Sequence, residues 1–162
     1  MNFVAKSTCV LVFVFLSACS KLEPNVGKKS IELEVFKSPT CGCCKLWVGH
    51  LKDAGFAPEV RNHNSFESVK RKLGVPKHLQ SCHTGVSDSG YFFEGHIPPK
   101  FVAAFLDNPP MDAIGLAVPG MPAGSPGMEM GDKFEPYSIM LVKKDGSSEV
   151  YADVASFEEQ YE

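Results

Sequence analysis

Residues 38–51 read SPTCGCCKLWVGHL, and this stretch decides how the rest of the chain is arranged. Just before it, IELEVFKS (31–38) places apolar residues at Ile31, Leu33 and Val35, the alternation of a strand. Pro39 and Thr40 break that strand. Beyond them the apolar residues fall at Leu46, Trp47, Val48, Leu51 and Ala54, a helical spacing that Gly55 ends. Three cysteines, Cys41, Cys43 and Cys44, therefore stand where a strand gives way to the first turn of a helix. Unpaired N–H groups and the helix dipole favour an anion there, so a thiolate at Cys41 is stabilised. Cys44 lies one turn later on the same side, within reach of Cys41 for a disulfide. Cys43 points about 100° away from Cys44 around the helix axis.

Outward from this core, APEVRNH (57–63) reads as a short strand. SFESVKRKLG (65–74) reads as a second helix, with Ser65 as its N-cap and Gly74 as its stop. At the far end YSIMLVKKDGSSEVYADV (137–154) carries two strand-like runs around Asp145-Gly146, a hairpin signal. SFEEQYE (156–162) then suggests a short closing helix, with Ser156 and Glu159 spaced as a capping box. The long segment between, 75–135, holds a strand in GYFFEGHIP (90–98) and a helix in PKFVAAFLDN (99–108). VPGMPAGSPGMEMGD (118–132) follows, rich in Gly and Pro and without period. It reads as a loop, and long ordered loops in small domains are usually functional.

The order β-α-β-α, an insertion, then β-β-α resembles the thioredoxin-like fold: α/β, with a mixed central sheet, flanking helices and a long insertion before the C-terminal hairpin. CGCCK (41–45) differs from the thioredoxin CGPCK only in having Cys43 in place of proline. EPYSIMLV (135–142) precedes the hairpin as the cis-proline does in thioredoxins, which implies that Pro136 is cis and faces the thiols.

The N-terminus reads as an export signal. MNFVAKSTCVLVFVFLSAC has a single lysine, Lys6, then an apolar run, Val10 to Leu16, too short to span a bilayer. LSAC (16–19) matches the bacterial lipoprotein signal, which makes Cys19 the acylated residue; an ordinary secretory signal is the alternative. Ser20 after it favours the outer membrane. The expected organisation is a lipoprotein signal peptide over 1–18, a polar tether over 19–30 and a thioredoxin-like metal-binding domain over 31–162. The expected location is the bacterial envelope, lipid-anchored and facing the periplasm. About 130 residues suffice for one domain and one core. Net charge is −3 and the basic residues are scattered, so nothing resembles a nucleic-acid footprint.

Of the six cysteines, Cys9 leaves with the signal and Cys19 is taken up by lipid. Cys41, Cys43, Cys44 and Cys82 remain. Adjacent cysteines close a minimal loop and make a poor structural staple, so the cluster argues for chemistry. Cys41 and Cys44 alone form a redox dithiol. A third thiol offers disulfide exchange a wrong partner, but it offers a soft metal another sulfur. Cys82-His83 in SCH supplies a second contribution, and His96 at a strand end a third. Zinc fits four thiolates, or three and an imidazole; Cu(I) accepts two or three thiolates and tolerates thioethers. Met121, Met128 and Met130, in a polar loop with no evident core to fill, tilt the choice to copper. Met140 reads as core filling and His50 as part of a solvated helix face. Glu94 reads as an exposed acid or as a carboxylate orienting His96.

Together, SPTCGCCKLWVGHL, GVPKHLQSCHT (74–84), EGHIP (94–98) and GLAVPGMPAGSPGME (115–129) resemble the exported, thioredoxin-like CopG proteins of bacterial copper-resistance gene clusters. The resemblance implies an envelope protein that handles copper and interconverts Cu(I) and Cu(II). Cys41, Cys43 and Cys44 fall on the family's thiol motif, and Cys82 and His83 on its SCH motif. The partners it implies are copper ions, envelope copper-export or copper-carrier proteins, and the membrane through the lipid anchor. Three functions fit the residues: a copper redox protein, a passive metal store or chaperone, and a thiol–disulfide oxidoreductase attacking with Cys41 and resolving with Cys44.

Overall fold

A computed structural model describes residues 30–161. The expected signal peptide, nearly all of the expected tether and Cys19 lie outside the described residues. Strand β1 (Ile31–Lys37) leads into helix α1 (Gly42–Asp53), strand β2 (Phe56–Asn62) and helix α2 (Glu67–Leu73). Strands β3 (His83–Ser87) and β4 (Phe92–Glu94) precede helix α3 (Pro99–Asp107). Strands β5 (Ala113–Ala117), β6 (Tyr137–Lys143) and β7 (Ser148–Val154) complete the order. All strands join one seven-stranded sheet in the order β2-β1-β3-β4-β5-β6-β7. The parallel pairs β1/β2 and β4/β5 are those whose crossovers carry α1 and α3, since parallel neighbours need a long connection. The sheet is mixed and flanked by helices, the thioredoxin-like α/β class read from the sequence.

Alternation along the strands sorts two apolar clusters. Leu33 and Val35 of β1 meet Trp47, Val48 and Leu51 of α1, together with Phe93, Phe105 and Ile139. The adjacent Phe92 faces the other way, into a smaller cluster with Val75, Leu79, Ala117 and Val142, as a period of two requires. Met140 packs against that second cluster, which is the core-filling role expected of it.

The sequence reading isolated neither β3 nor β5. AIGLA is buried at every position but Ile114, so it shows no alternation, and it lies beside Phe92 where Gly115 has no room for a Cβ. Three local expectations are corrected. Helix α2 starts at Glu67 with Phe66 as N-cap and no side-chain cap, so Ser65 does not cap it. The closing helix is a single 3-10 turn, Glu158–Gln160, capped by Phe157 rather than Ser156; the Glu159 carboxylate instead accepts the Ala155 N–H at 2.7 Å. Pro136 is exposed, and there is no cis peptide among the described residues. Its position follows from topology. The strand antiparallel to β1 is β3, whereas β6 is separated from β1 by β3, β4 and β5. The turn facing the thiols is therefore the one entering β3, at Cys82.

Among the described residues no helix is long and apolar enough to cross a membrane. The main core rests on aromatic packing: the Phe105 ring lies 5.1 Å from that of Tyr91 and 5.6 Å from that of Phe93, both edge-to-face. Phe105→Ala is expected to lower the unfolding free energy by about 3–5 kcal/mol in urea titration. Val150→Ala, at an exposed position of β7, should stay within about 0.5 kcal/mol.

Candidate metal centre

The register of β1 against β3 sets Lys37 opposite His83, so the residue before β3, Cys82, arrives at the N-terminus of α1. Cys41 is the N-cap, and its Sγ accepts the Cys44 N–H at 3.3 Å. Cys41 and Cys44 form the disulfide that their spacing allows. Cys43 Sγ lies 3.4 Å from Cys41 Sγ, and Cys44 Sγ lies 3.7 Å from the carbonyl oxygen of Cys82. The four sulfurs sit within 4.8 Å of one another. Cys82 belongs to a second group as well, with His83 and His96: its Sγ is 3.3 Å from His83 Nδ1 and 3.3 Å from His96 Nε2. One thiol is shared between a sulfur set and an imidazole set.

The imidazoles are held from behind. His96 Nδ1 is 2.9 Å from the Pro126 carbonyl, which can only accept. That bond fixes the proton on Nδ1 and leaves the Nε2 lone pair facing Cys82, the arrangement typical of ligating histidines. His83 is fully buried, with its ring 4.3 Å from that of Trp47. Its Nε2 is buried without a hydrogen-bond partner among the described residues. Trp47 in turn donates Nε1–H to the Ile97 carbonyl at 2.8 Å.

Burial governs the charges. Desolvation, aided by Cys43, pushes the Cys82 thiol up to about 11. Desolvation holds His83 well below the ordinary imidazole range and His96 below it. At neutral pH these three groups carry no charge. Both imidazoles are then in the form that binds metals, and an entering cation would supply the positive charge that burial denies the protein itself. Thiolate sulfur with imidazole nitrogen is a soft to borderline donor set, suited to Cu(I) or zinc.

Glu94 is neither an exposed acid nor a partner of His96. It is fully buried and ion-paired with Lys70 of α2. It also accepts the Ser81 N–H at 2.5 Å and the Thr84 hydroxyl at 2.6 Å. Lys70 Nζ further donates to Thr84 Oγ1 at 2.9 Å. Desolvation moves both partners toward neutrality, Glu94 upward and Lys70 downward.

The Gly/Pro-rich loop rests on α1 beside the thiols. Glu129 accepts the Gly127 N–H at 2.9 Å and pairs with His50 Nε2 at 2.6 Å, so His50 is half-buried under the loop. Ser81 Oγ donates to the Gly120 carbonyl at 2.7 Å. The loop reaches the site through Pro126 and Gly127, while Met121 and Met130 are exposed and Met128 is half-buried. Sequence reasoning missed Lys70, Ser81, Thr84, Pro126 and Glu129. The one signal available was Glu94 itself, an acid set in the apolar run YFFEGHI that burial would oblige to find a partner.

Residues 79–128, which include Cys82, His83 and His96, match a family described as a protein of unknown function, DUF411. No curated protein matches the chain. A solved structure of copper resistance protein CopG, form 1, is 40% identical, with a TM-score of 0.73, and the match covers 79% of this chain and 100% of that one. Its form 2 matches equally well, at 40% identity and a TM-score of 0.73 over 78% of this chain and 99% of that one.

Gly127 makes the contact between loop and helix possible. Its φ is +89°, and a Cβ there would sit 2.6 Å from the Cys43 carbonyl oxygen and 2.8 Å from the Trp47 nitrogen. Gly127→Ala is expected to cost about 2 kcal/mol or more, as a drop in the urea midpoint at unchanged slope. A midpoint equal to that of the unsubstituted protein would show that the loop does not lie against α1.

Proposed function

The chain belongs to the family of the copper resistance protein CopG, and from that premise we propose that it is a copper-handling protein of the cell envelope. In this reading Cys41, Cys43, Cys44 and Cys82 bind Cu(I) as substrate, with His83 and His96 completing the donor set. The observation that carries it is the sharing of Cys82 between three other sulfurs and two imidazoles at ligand spacing. His83 Nδ1 at 3.3 Å from Cys82 Sγ, and the His96 Nε2 lone pair that the Pro126 bond leaves facing the same sulfur, support it. The lipoprotein motif ending at Cys19 supports the envelope assignment, with Cys19 as the acyl anchor. Met121, Met128 and Met130 are proposed as thioethers that pass copper to and from the site and to envelope copper carriers.

A redox role uses the dithiol. Two Cu(II) ions take one electron each as the Cys41 and Cys44 thiolates join in a disulfide. In the reverse direction the disulfide takes one electron from each of two Cu(I) ions and returns to two thiolates. The Cys41–Cys44 disulfide favours a second reading, a thiol–disulfide oxidoreductase, in which Cys43 and Cys82 have no necessary part.

Anaerobic Cu(I) titration of the reduced protein against a chelator, with zinc in parallel, separates these readings. Cys43→Pro suits the first helical turn, where an N–H has no intrahelical acceptor. Cys43→Pro and Cys82→Ser should each weaken Cu(I) binding by more than about a hundredfold, beyond the cost of losing an outer partner of a ligand. Unchanged binding in Cys43→Pro, with faster reduction of a disulfide substrate, would establish the oxidoreductase instead. Preference for zinc over Cu(I) would make the centre a zinc site.

A further inference from the structure

Glu94 offers no donor to either ligand group, yet it touches the chain on both sides of one. Its carboxylate accepts from the backbone N–H of Ser81 and the hydroxyl of Thr84, the residues that flank Cys82-His83. Thr84 is its register partner across β3 and β4, so the grip is set by strand pairing. On its own side Glu94 is followed by Gly95, whose N–H donates to the His83 carbonyl at 3.1 Å. Gly95 has a φ of +77° and no room for a Cβ beside the Val118 carbonyl, and the turn it makes delivers His96. One buried carboxylate thus ties together the two segments that bring Cys82, His83 and His96.

Stability alone is a poor reason for such an arrangement. Removing a carboxylate and an ammonium from water costs several kcal/mol per ion, and an apolar pair of the same volume often serves a core as well or better. A satisfied buried network does something an apolar pair cannot: it selects one position for the groups bonded to it. We propose that Glu94 is a positioning residue for the metal centre, with Lys70 as its buried partner. It holds Cys82 and His83 at ligand spacing through Ser81 and Thr84. The inference deepens the copper reading and rests on it for the identity of the metal.

The test uses Glu94→Gln, the double variant Lys70→Met/Glu94→Gln, which leaves no unpaired buried charge, and the near-isosteric Thr84→Val, which removes one grip and keeps the ion pair. Two quantities are read on each reduced variant that melts cooperatively: Cu(I) affinity by chelator competition, and the rate at which Cys82 of the metal-free protein is alkylated by iodoacetamide, resolved by peptide mass from the three thiols of residues 41–44. Expected are about ten- to hundredfold weaker Cu(I) binding in the Glu94 variants, the range for loss of a ligand-orienting partner. Thr84→Val should show a smaller loss. Cys82 alkylation should change severalfold while that of the 41–44 thiols does not. Folded variants that keep both the parent affinity and the parent Cys82 rate would overturn the proposal and leave Glu94 a structural residue. Thr84→Val decides the matter if the Glu94 variants fail to fold. Cys82→Ser, run alongside, keeps the two claims apart. Equal affinities in the parent and Cys82→Ser would sink the copper reading, and the alkylation rates would then judge the positioning role alone.

Discussion

The antiparallel pairing of β3 with β1, Lys37 opposite His83, is the constraint on which the rest of the centre depends. Because side chains alternate along a strand, a slip of one residue would turn His83 away from Trp47 and carry Cys82 off the end of α1. Burial pins the register: Leu33, Val35 and Lys37 of β1 all point inward. Gly85, opposite Val35, adds to it. A Cβ there would meet the Trp47 ring at 3.3 Å, so its absence lets the indole lie close to the sheet. That in turn brings α1, and Cys44 on it, down to the entry of β3. The thiols meet because a tryptophan and a strand pairing leave them no other place.

That dependence explains what was legible in the sequence and what was not. Strand β1, helix α1, strand β2 and the C-terminal hairpin were readable because each carries its own local signal: alternation, a helical stripe or an Asp-Gly turn. The place of Cys41 at the start of the helix and its reach to Cys44 followed from the strand-to-helix pattern and helix geometry. Caps at Ser65 and Ser156 failed because a cap is worth only about 1 kcal/mol and tertiary packing outweighs it. At α2 the competing interaction is visible: Lys70 Nζ sits 5.0 Å over the ring of Phe66, the residue that became the N-cap. Strand β5 was hidden because burial on both faces erases period. Pro136 misled because a proline before a strand is a local feature, whereas the place opposite the thiols belongs to whichever strand pairs with β1. Lys70 and Glu94 lie 24 residues apart, and no periodicity announces a pair that only the folded sheet creates.

Electrostatics gives the centre its direction. Burial drives its groups toward neutral forms, with the Cys82 thiol pushed up to about 11 and both imidazoles pushed down. A protein that needed a thiolate at Cys82 for nucleophilic attack would have placed a cation against it. Here the buried ammonium of Lys70 is already paired with Glu94. A soft cation bound as proposed would supply the charge that stabilises a Cys82 thiolate while also taking the imidazole nitrogens.

Cys43 can be understood in the same terms. In a thioredoxin-like site with proline at its place, joining Cys41 to Cys44 would use up both sulfurs at the start of the helix. With Cys43 present, the disulfide leaves a sulfur 3.4 Å from Cys41 and a second at Cys82. Oxidation then halves the sulfur set without dismantling it, because Cys43 hangs on the first turn of α1 while Cys82, His83 and His96 hang on β3 and β4. The helix half of the centre answers to the redox state of the dithiol; the strand half answers to the buried Glu94 network. Cys82, gripped through Ser81 and lying against Cys44, is where the two halves meet.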